Sequence, residues 1–248
     1  MNTVVVVTGG GRGIGAAVCV LAAERGFDVV VNYTSDKASA EKVASGIHTA
    51  GGRAAAVHAD VSDEDDVARL FEAADALGPL GGVVNNAGIT GNRLGRLDEL
   101  DAATVRRVLD VNVTGVFLCS RAAVRRMSTR YGGSGGVIVN VSSTAAQRGS
   151  PGEWIHYAAS KAAVETLTVG LAAEVGAEGI RVNAVSPGLV ETGLHAEAGA
   201  PDRPQRIAPM IPLGRPGQPV EIAEGIVWLL SSAASFVTGA VLTISGGR

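Results

Sequence analysis

The alternation of short, continuous apolar runs with helical stretches constrains the fold of this chain more than any other feature. Seven apolar runs, most of them rich in valine, cover residues 3–8, 28–33, 54–60, 82–86, 136–141, 181–185 and 241–244. Six stretches with helical periodicity cover residues 13–25, 37–50, 64–77, 102–127, 155–176 and 219–231. Strands that are apolar on both sides are typical of a sheet buried on both faces. The order therefore predicts an α/β fold, in which a doubly wound, parallel, seven-stranded sheet carries helices on both faces.

Composition favours one domain and argues against several classes of partner. The 248 residues are 46% hydrophobic and no low-complexity block divides them, so we expect a single domain over residues 1–248. The net charge of −3 comes without a run of Lys or Arg, which argues against nucleic acid or an acidic membrane surface as a partner. Cys19 and Cys119 fall in apolar helical contexts and are expected to be buried thiols, with no disulfide and no metal site.

The N-terminal residues and the hydropathy of the chain bear on its location. Met1, Asn2 and Thr3 are followed by four valines, without the basic region or the cleavage site of a signal peptide. No stretch approaches the roughly 18 apolar residues of a membrane span. We therefore expect a cytoplasmic protein that is not bound to a membrane.

One segment, residues 187–217, interrupts the alternation of strands and helices. It is rich in proline and glycine and joins the sixth strand to the next helix. A connection of about 30 residues is long for a compact domain, which indicates a lid or a substrate-binding loop. A disordered surface excursion is the alternative.

The first strand runs directly into a glycine-rich loop and then a helix. The loop reads Thr8-Gly9-Gly10-Gly11-Arg12-Gly13-Ile14-Gly15. Glycines allow a sharp turn and a close approach of the backbone to a pyrophosphate, and free N–H groups at the start of the next helix favour an anion. A purely structural tight turn is the alternative, but the position between strand and helix favours phosphate binding.

Two other strand ends offer groups for the same ligand. Asp60, just after the third strand, can accept a hydrogen bond from an adenine amino group while Val61 packs on the ring. Alternatively Asp60 caps the next helix, although Ser62 or Asp63 fits that position better. The fourth strand ends in Asn-Asn-Ala-Gly at residues 85–88, which leaves room for a ribose or forms an ordinary turn.

The fifth strand ends in two serines and precedes a helix that carries a tyrosine and a lysine. Ser142 and Ser143 close the strand, and Tyr157 and Lys161 follow on one helix face, four residues apart. A phenol titrates near about 10 and is a poor acid–base group at neutral pH unless its anion is stabilised. A neighbouring ammonium supplies that stabilisation, and a serine hydroxyl can hold the substrate oxygen. A solvated Tyr–Lys pair on an exposed helix is the alternative.

Together these motifs resemble the short-chain dehydrogenase/reductase family over essentially the whole chain. The resemblance is carried by residues 8–15, Asp60, Asn86-Ala87-Gly88, Asn112, Ser143, Tyr157, Lys161, Pro187-Gly188 and Ser245-Gly246-Gly247. Residues 148–153 are most similar to bacterial members described as sugar dehydrogenases or oxoacyl-carrier reductases. The resemblance implies a Rossmann-type fold, a homotetramer, a nicotinamide cofactor and a small carbonyl or alcohol substrate.

The resemblance also implies a role for each candidate residue. Tyr157 would be the general acid/base, Ser143 would orient and polarise the substrate oxygen, and Lys161 would lower the phenol pKa and bind the nicotinamide ribose. Asn112, in the helix after the fourth strand, would hold a water in a proton relay. The implied cofactor-binding residues are Gly9, Gly11, Arg12, Gly13, Ile14, Gly15, Tyr33, Asp60, Val61, Asn86, Ala87, Gly88, Tyr157, Lys161, Pro187, Gly188, Val190 and Thr192.

Two points stay open in this assignment. The family places its serine one residue nearer to the tyrosine than Ser143 lies here, so Ser142 is kept as a second candidate although Ser143 is preferred. The second strand ends in Tyr33 where an NAD enzyme usually has an acidic residue, and Arg12 can pair with a 2′-phosphate. We therefore expect NADP(H), with NAD(H) possible.

The predicted function is hydride transfer between NADP(H) and a carbonyl or secondary-alcohol carbon. A non-catalytic protein that senses the nucleotide through the same fold is the alternative, since fold does not fix function. Such a sensor needs the glycine loop but not a serine, tyrosine and lysine set. An epimerase or dehydratase of the related longer class needs a larger C-terminal domain than 248 residues allow.

Overall fold

A computed structural model describes residues 2–248 and contains a seven-stranded sheet in which every pairing is parallel. The strands are β1 (Val4–Val7), β2 (Asp28–Tyr33), β3 (Ala54–His58), β4 (Leu80–Asn85), β5 (Gly136–Val141), β6 (Ile180–Pro187) and β7 (Val241–Ile244). Their order is β3-β2-β1-β4-β5-β6-β7. The predicted fold class, a doubly wound parallel sheet with helices on both faces, is confirmed.

The long helices follow the predicted stretches closely, and three short helices were not predicted. The α-helices are α1 (Gly13–Glu24), α2 (Lys37–Thr49), α3 (Glu64–Leu77), α4 (Ala102–Leu109), α5 (Gly115–Met127), α6 (Ala145–Arg148), α7 (Ile155–Val175), α8 (Leu194–Glu197), α9 (Arg203–Ile207) and α10 (Pro219–Leu230). The stretch at 102–127, predicted as one helix, is α4 and α5 joined by a π-helical turn over Asp110–Thr114. Such widened turns recur at functional sites, and this one carries Asn112.

The apolar core forms two layers, one on each face of the sheet. Val5 and Val7 of β1 face the layer that includes α1, α2 and α10, whereas Val4 and Val6 face the layer that includes α3, α5 and α7. All four valines are fully buried, which explains why the run does not alternate with polar residues. Cys19 and Cys119 lie in these layers as buried free thiols, as expected.

A buried chain of polar side chains ties the sheet to α5 and α7. The Asn85 amide donates to Asn140 Oδ1 at 2.8 Å and to the Ser120 hydroxyl at 3.1 Å. The Asn140 amide in turn donates to the Thr168 hydroxyl at 2.9 Å. Because these bonds lie out of contact with water, they fix the position of α7 against β5 more firmly than apolar packing alone.

The carboxyl ends of the strands form one edge of the sheet, where the chain can bind a ligand. The strand order turns at β1, because β2 and β3 lie on one side of it and β4 to β7 lie on the other. Connections on opposite sides of such a point leave a crevice at the carboxyl ends of the strands. No helix within residues 2–248 is both long enough and apolar enough to cross a membrane.

The segment predicted as a substrate loop is folded over this edge. It begins after β6, which extends to Pro187, and it contains α8, α9 and an isolated bridge between Val190 and Gly217. Leu189, Ile207 and Ile211 are buried together in a small apolar cluster within it. This burial of its own apolar side chains argues against a disordered excursion.

Candidate active site

A cavity of about 980 Å³ opens at the carboxyl ends of the strands and contains almost all of the predicted site residues. Such a volume lies at the upper end of the range for small-molecule and cofactor sites. The predicted residues that line it are Gly9, Gly11, Arg12, Gly13, Ile14, Tyr33, Asp60, Val61, Asn86, Ala87, Gly88, Ser143, Tyr157, Lys161, Pro187, Gly188, Val190 and Thr192. Gly15 and the Asn112 side chain are the two that do not line it.

The glycine loop has the backbone geometry that phosphate binding requires. Gly9 and Gly13 adopt positive φ angles of 63° and 54°, a conformation that other residues rarely adopt. A Cβ atom on Gly15 would lie 2.3 Å from the Gly9 carbonyl oxygen, so Gly15 acts by letting α1 pack on the loop. Arg12 precedes α1 in an extended conformation and provides no side-chain cap, which leaves N–H groups of the first helical turn available to an anion.

Asn86 holds this loop against β4. Its side-chain amide donates to the carbonyl oxygens of Thr8 at 2.9 Å and Gly9 at 3.1 Å. The Thr8 hydroxyl accepts from the main-chain N–H groups of Asn86 and Ala87, both at 3.0 Å. The polar groups of Asn86 are thus largely used by the protein, and its main role in this arrangement is to shape the cavity wall.

Asp60 lines the cavity but is engaged by neighbouring side chains. Its carboxylate accepts from the Ser62 hydroxyl at 2.6 Å and from the Arg107 guanidinium at 2.7 Å. Partial burial opposes ionisation of Asp60, but these hydrogen bonds outweigh it and lower the pKa of the carboxyl. The cap of α3 is Asp63, which accepts from the N–H of Asp66, so the helix-cap alternative for Asp60 does not hold.

Ser143, Tyr157 and Lys161 come together at the end of β5 and the start of α7. Ser143 and Tyr157 both line the cavity, and Lys161 Nζ lies 5.6 Å from the centre of the Tyr157 ring. Burial raises the pKa of Tyr157, and the nearby Ser143 side chain and the charge of Arg203 act in the opposite direction. Burial also lowers the pKa of Lys161 to about 8, and its ammonium donates to the Val141 carbonyl at 2.7 Å.

The neighbouring serine, Ser142, points elsewhere. It is buried, and its hydroxyl donates to Glu165 Oε1 at 2.8 Å on α7. The geometry therefore favours Ser143 over Ser142 as the partner of Tyr157.

Asn112 is fully buried and its side chain is bonded within the protein. Its Oδ1 accepts from the N–H of Ile89 at 2.8 Å, and its Nδ2 donates to the Ile89 carbonyl at 2.9 Å and to the Ser160 hydroxyl at 3.0 Å. Both amide hydrogens of Asn112 are therefore used within the protein, and its role in a proton relay stays a prediction. A Cβ atom on Gly88 would lie 3.3 Å from Lys161 Nζ and 3.4 Å from Asn112 Oδ1, so Gly88 leaves room beside both.

Arg12 forms an ion pair that the sequence did not predict. Its guanidinium bonds both carboxylate oxygens of Glu197 on α8, with Nη2 at 2.9 Å from Oε2. The cation expected to meet a 2′-phosphate is thus paired with the substrate loop in this structure. The two residues are 185 positions apart, and no motif in the sequence connects them.

The wall beside Tyr157 contains further residues that sequence reasoning placed only within broad segments. Trp154 is buried, and the Arg203 guanidinium lies 4.9 Å from the centre of its ring. Arg203 also bonds Glu153 at 2.8 Å, and His195 stacks on Trp154 with ring centres 6.3 Å apart. His195 and Arg203 fall within the predicted loop at residues 187–217, but the sequence pattern gave no reason to single out these side chains.

Comparison with known proteins places this chain among oxidoreductases. A family model described as enoyl-(acyl carrier protein) reductase matches residues 9–248. The chain is 50% identical over 246 residues to the uncharacterized oxidoreductase YgfF of Escherichia coli (strain K12), covering 99% of both proteins. It is 46% identical over 245 residues to a cis-4-hydroxycyclohexanecarboxylate dehydrogenase of Sinomonas cyclohexanicum, covering 98% of this chain and 95% of that protein. Among solved structures, a variant short-chain dehydrogenase/reductase of Serratia marcescens matches with a TM-score of 0.90 and 37% identity, over 99% of this chain and 97% of that one.

Proposed function

This chain belongs to the short-chain dehydrogenase/reductase family of NAD(P)-dependent enzymes, and we propose that it transfers a hydride between NADP(H) and a carbonyl or secondary-alcohol carbon. The observation that carries the proposal is the meeting of Ser143, Tyr157 and Lys161 on one wall of the cavity. The Sinomonas relative, named as a dehydrogenase of a hydroxy compound, supports the same reaction class.

Tyr157 is the proposed acid–base group. In the direction of oxidation its phenolate takes the proton of the substrate alcohol, and in the direction of reduction its hydroxyl returns a proton to the substrate oxygen. Ser143 donates a hydrogen bond to that oxygen. Because burial alone raises the pKa of Tyr157, the phenolate depends on Ser143 and on nearby positive charge for stabilisation. Lys161 supplies such a charge at neutral pH, since its lowered pKa is still about 8.

The residues that would hold the cofactor fit a dinucleotide. The glycine loop and the uncapped start of α1 suit the pyrophosphate, and Asp60 and Val61 suit the adenine. The wall at residues 86–88 suits a ribose, and Pro187, Gly188, Val190 and Thr192 suit the nicotinamide and its amide. When bound, the nicotinamide supplies the ring carbon that accepts or gives the hydride.

The preference for NADP(H), with NAD(H) tolerated, rests on the residues at the end of β2. Tyr33 stands there instead of an acidic side chain, and its ring packs edge-on against His58. The first carboxylate beyond it, Asp36, is the cap of α2 and accepts from the Ser39 N–H at 3.0 Å. No carboxylate at this position repels a 2′-phosphate. Arg12 is the cation that would bind the 2′-phosphate, and its ion pair with Glu197 would then break.

Replacement of Tyr157 by Phe tests the reaction directly. We expect turnover of a substrate found by a spectrophotometric scan of carbonyl compounds to fall by at least about a hundredfold, because the ring stays but the transferable proton is lost. Cofactor binding, followed by fluorescence titration of NADPH, should persist. Tyr131→Phe, at an exposed tyrosine outside the cavity, is the matched control. Near wild-type turnover in Tyr157→Phe would contradict the mechanism. Cofactor binding without turnover of any carbonyl compound would favour the nucleotide-sensing alternative.

A further inference from the structure

Three arginines line the cavity on the side of Tyr157. Arg148 ends α6, Arg203 begins α9, and Arg248 follows β7, so three separate segments bring them to one place. Arg203 lies close enough to Tyr157 for its charge to affect the phenol. Burial and the positive charges of Arg148 and Arg203 lower the pKa of Arg248, and the carboxylate of Glu153 acts in the opposite direction.

The four carboxylates that line the cavity all have partners within the protein. Glu153 pairs with Arg203, Glu197 pairs with Arg12, Asp60 pairs with Arg107, and Asp36 caps α2. Among the residues that the structure describes, neither Arg148 nor Arg248 forms an ion pair. Burial lowers the pKa of His195 to about 4, so its ring is neutral at pH 7 and adds no charge. Among the side chains on this side of the cavity, three guanidinium groups therefore face one carboxylate, that of Glu153.

An apolar surface lies alongside these arginines. Trp154, Leu194 and Ile207 line the same cavity. The Arg203 guanidinium is held by the Trp154 ring and by Glu153, so its position is fixed by the protein before a substrate arrives. A substrate that fits this wall has an apolar body as well as an anionic group.

We propose that the substrate is a hydroxy acid or its keto acid, in which the reacting oxygen meets Tyr157 and a carboxylate or sulfonate at the far end binds Arg148 and Arg248. The inference rests on the proposed function and deepens it by naming the class of substrate. Guanidinium groups match planar oxyanions through paired N–H donors, and a cationic cleft concentrates anions over neutral molecules. A neutral alcohol of the same size leaves the two arginines without a partner and gains none of this interaction.

Matched pairs of substrates test the inference. A series of linear hydroxy acids, with the secondary hydroxyl three to six carbons from the carboxylate or sulfonate, is compared with the corresponding primary amides, using NADP⁺ and NAD⁺ in turn. For the best chain length we expect kcat/KM of the acid to exceed that of the amide by at least tenfold, mainly because the KM of the acid is lower. The KM of the acid should also rise with ionic strength, because salt screens the attraction.

Substitution of the two arginines locates the effect. In the double variant Arg148→Gln/Arg248→Gln the ratio of acid to amide kcat/KM should fall at least tenfold, with the far-ultraviolet circular dichroism of the wild type. Arg206→Gln is the matched control, since Arg206 lies on α9 beside the cavity but does not line it. Dissociation constants of acids and amides for the enzyme–NADP⁺ complex, measured by calorimetry, should show the same tenfold preference.

The outcomes separate this inference from the proposed function. Equal kcat/KM and equal dissociation constants for acids and amides, or an acid preference that survives in the double variant, would overturn the anionic substrate while leaving the dehydrogenase intact. Tighter binding of acids through Arg148 and Arg248 supports the inference even where a given acid is not oxidised. Failure of every acid and every amide to react, together with failure of the carbonyl scan, would overturn the proposed function instead.

Discussion

Lys161 is buried at the centre of the site, and its charge opposes the stability of the fold. Its side chain is 3% exposed, and burial lowers its folded-state pKa from 10.5 to about 8. Between these two pH values the unfolded chain binds a proton that the folded protein does not. The free energy of unfolding therefore rises with pH across this window, by up to about 1.4 kcal/mol for each pH unit.

Lys161→Met should remove this dependence. From pH 7 to pH 9.5 we expect the stability of the wild type to gain about 2 kcal/mol relative to the variant, because charging the buried lysine costs less as it loses its proton. Guanidinium chloride unfolding of the cofactor-free proteins at several pH values, at one protein concentration, measures the difference. If the free energies of unfolding of the two proteins change in parallel with pH, the pKa of Lys161 is not lowered by burial.

Substitutions of Arg12 and of Glu197 should change the affinity for NADP(H) in opposite directions. Arg12→Ala should weaken NADP(H) binding by about 1.5–3 kcal/mol, the range for a hydrogen bond to a charged group, and leave NAD(H) nearly unchanged. Glu197→Gln should strengthen NADP(H) binding and not NAD(H) binding, because the competing carboxylate on Arg12 is removed. Tyr33→Asp should shift the preference toward NAD(H). Titrations of both cofactors measure these effects, with Arg25→Ala as an exposed control whose partner is Glu224.

Equal effects of Arg12→Ala on both cofactors, together with tighter NAD(H) binding by the wild type, would contradict the proposed NADP(H) preference. The ion pair is exposed, so its own contribution to stability is small and the substitutions are not expected to unfold the protein.

At the scale of elements, we expect a bound ligand to stabilise the segment between β6 and α10. Val190, Thr192, Leu194 and Ile207 of this segment all line the cavity. Hydrogen exchange at residues 190–193 should slow with either cofactor, because both bring the nicotinamide to this stretch. Exchange in α8 should slow more with NADH than with NADPH, since only the 2′-phosphate competes with Glu197 for Arg12.

The helix α3, none of whose residues lines the cavity, serves as the internal reference. Unchanged exchange across residues 190–212 with saturating cofactor would indicate a static loop.

Elements defined by periodicity were predictable, and contacts between distant segments were not. The seven strands and the long helices follow from continuous valine runs and helical spacing, so their order and the parallel sheet are confirmed. The helices α8 and α9 were missed because four and five residues span little more than one helical turn, too short to show a repeating pattern. Glu197 pairs with Arg12, and Arg203 packs on the Trp154 ring. No local sequence pattern reveals contacts between residues so far apart in the chain. The family and the enzyme class are confirmed, whereas the single domain, the roles of the site residues and the choice of NADP(H) stay predictions.

At the scale of the whole molecule, exposed apolar side chains on the outer helices support assembly. Phe117 on α5 is 52% exposed and Val169 on α7 is 53% exposed, although both helices also contribute to the core. Pairing of α5 and α7 between subunits of a symmetric oligomer would cover these two side chains. We predict a homotetramer, as the family resemblance implies.

Light scattering at micromolar concentration tests the assembly. The wild type should have the mass of four chains, and Phe117→Lys/Val169→Lys should shift the protein to a smaller species. Leu97→Lys, at a similarly exposed residue outside these helices, is the control. A monomeric wild type would refute the prediction, and an unchanged tetramer in the double variant would show that these helices do not form the interface.

The position of β1 in the sheet has a consequence for synthesis on the ribosome. β1 pairs with β2 on one side and with β4 on the other, and β4 lies about 50 residues further along the chain than β2. While a nascent chain carries only β1, β2 and β3, one edge of an uncharged valine strand is therefore open to other chains. This strand, which is fully buried in the folded enzyme, can therefore pair with other chains during translation. A chaperone that shields Val4–Val7 until β4 emerges would raise the yield of folded protein.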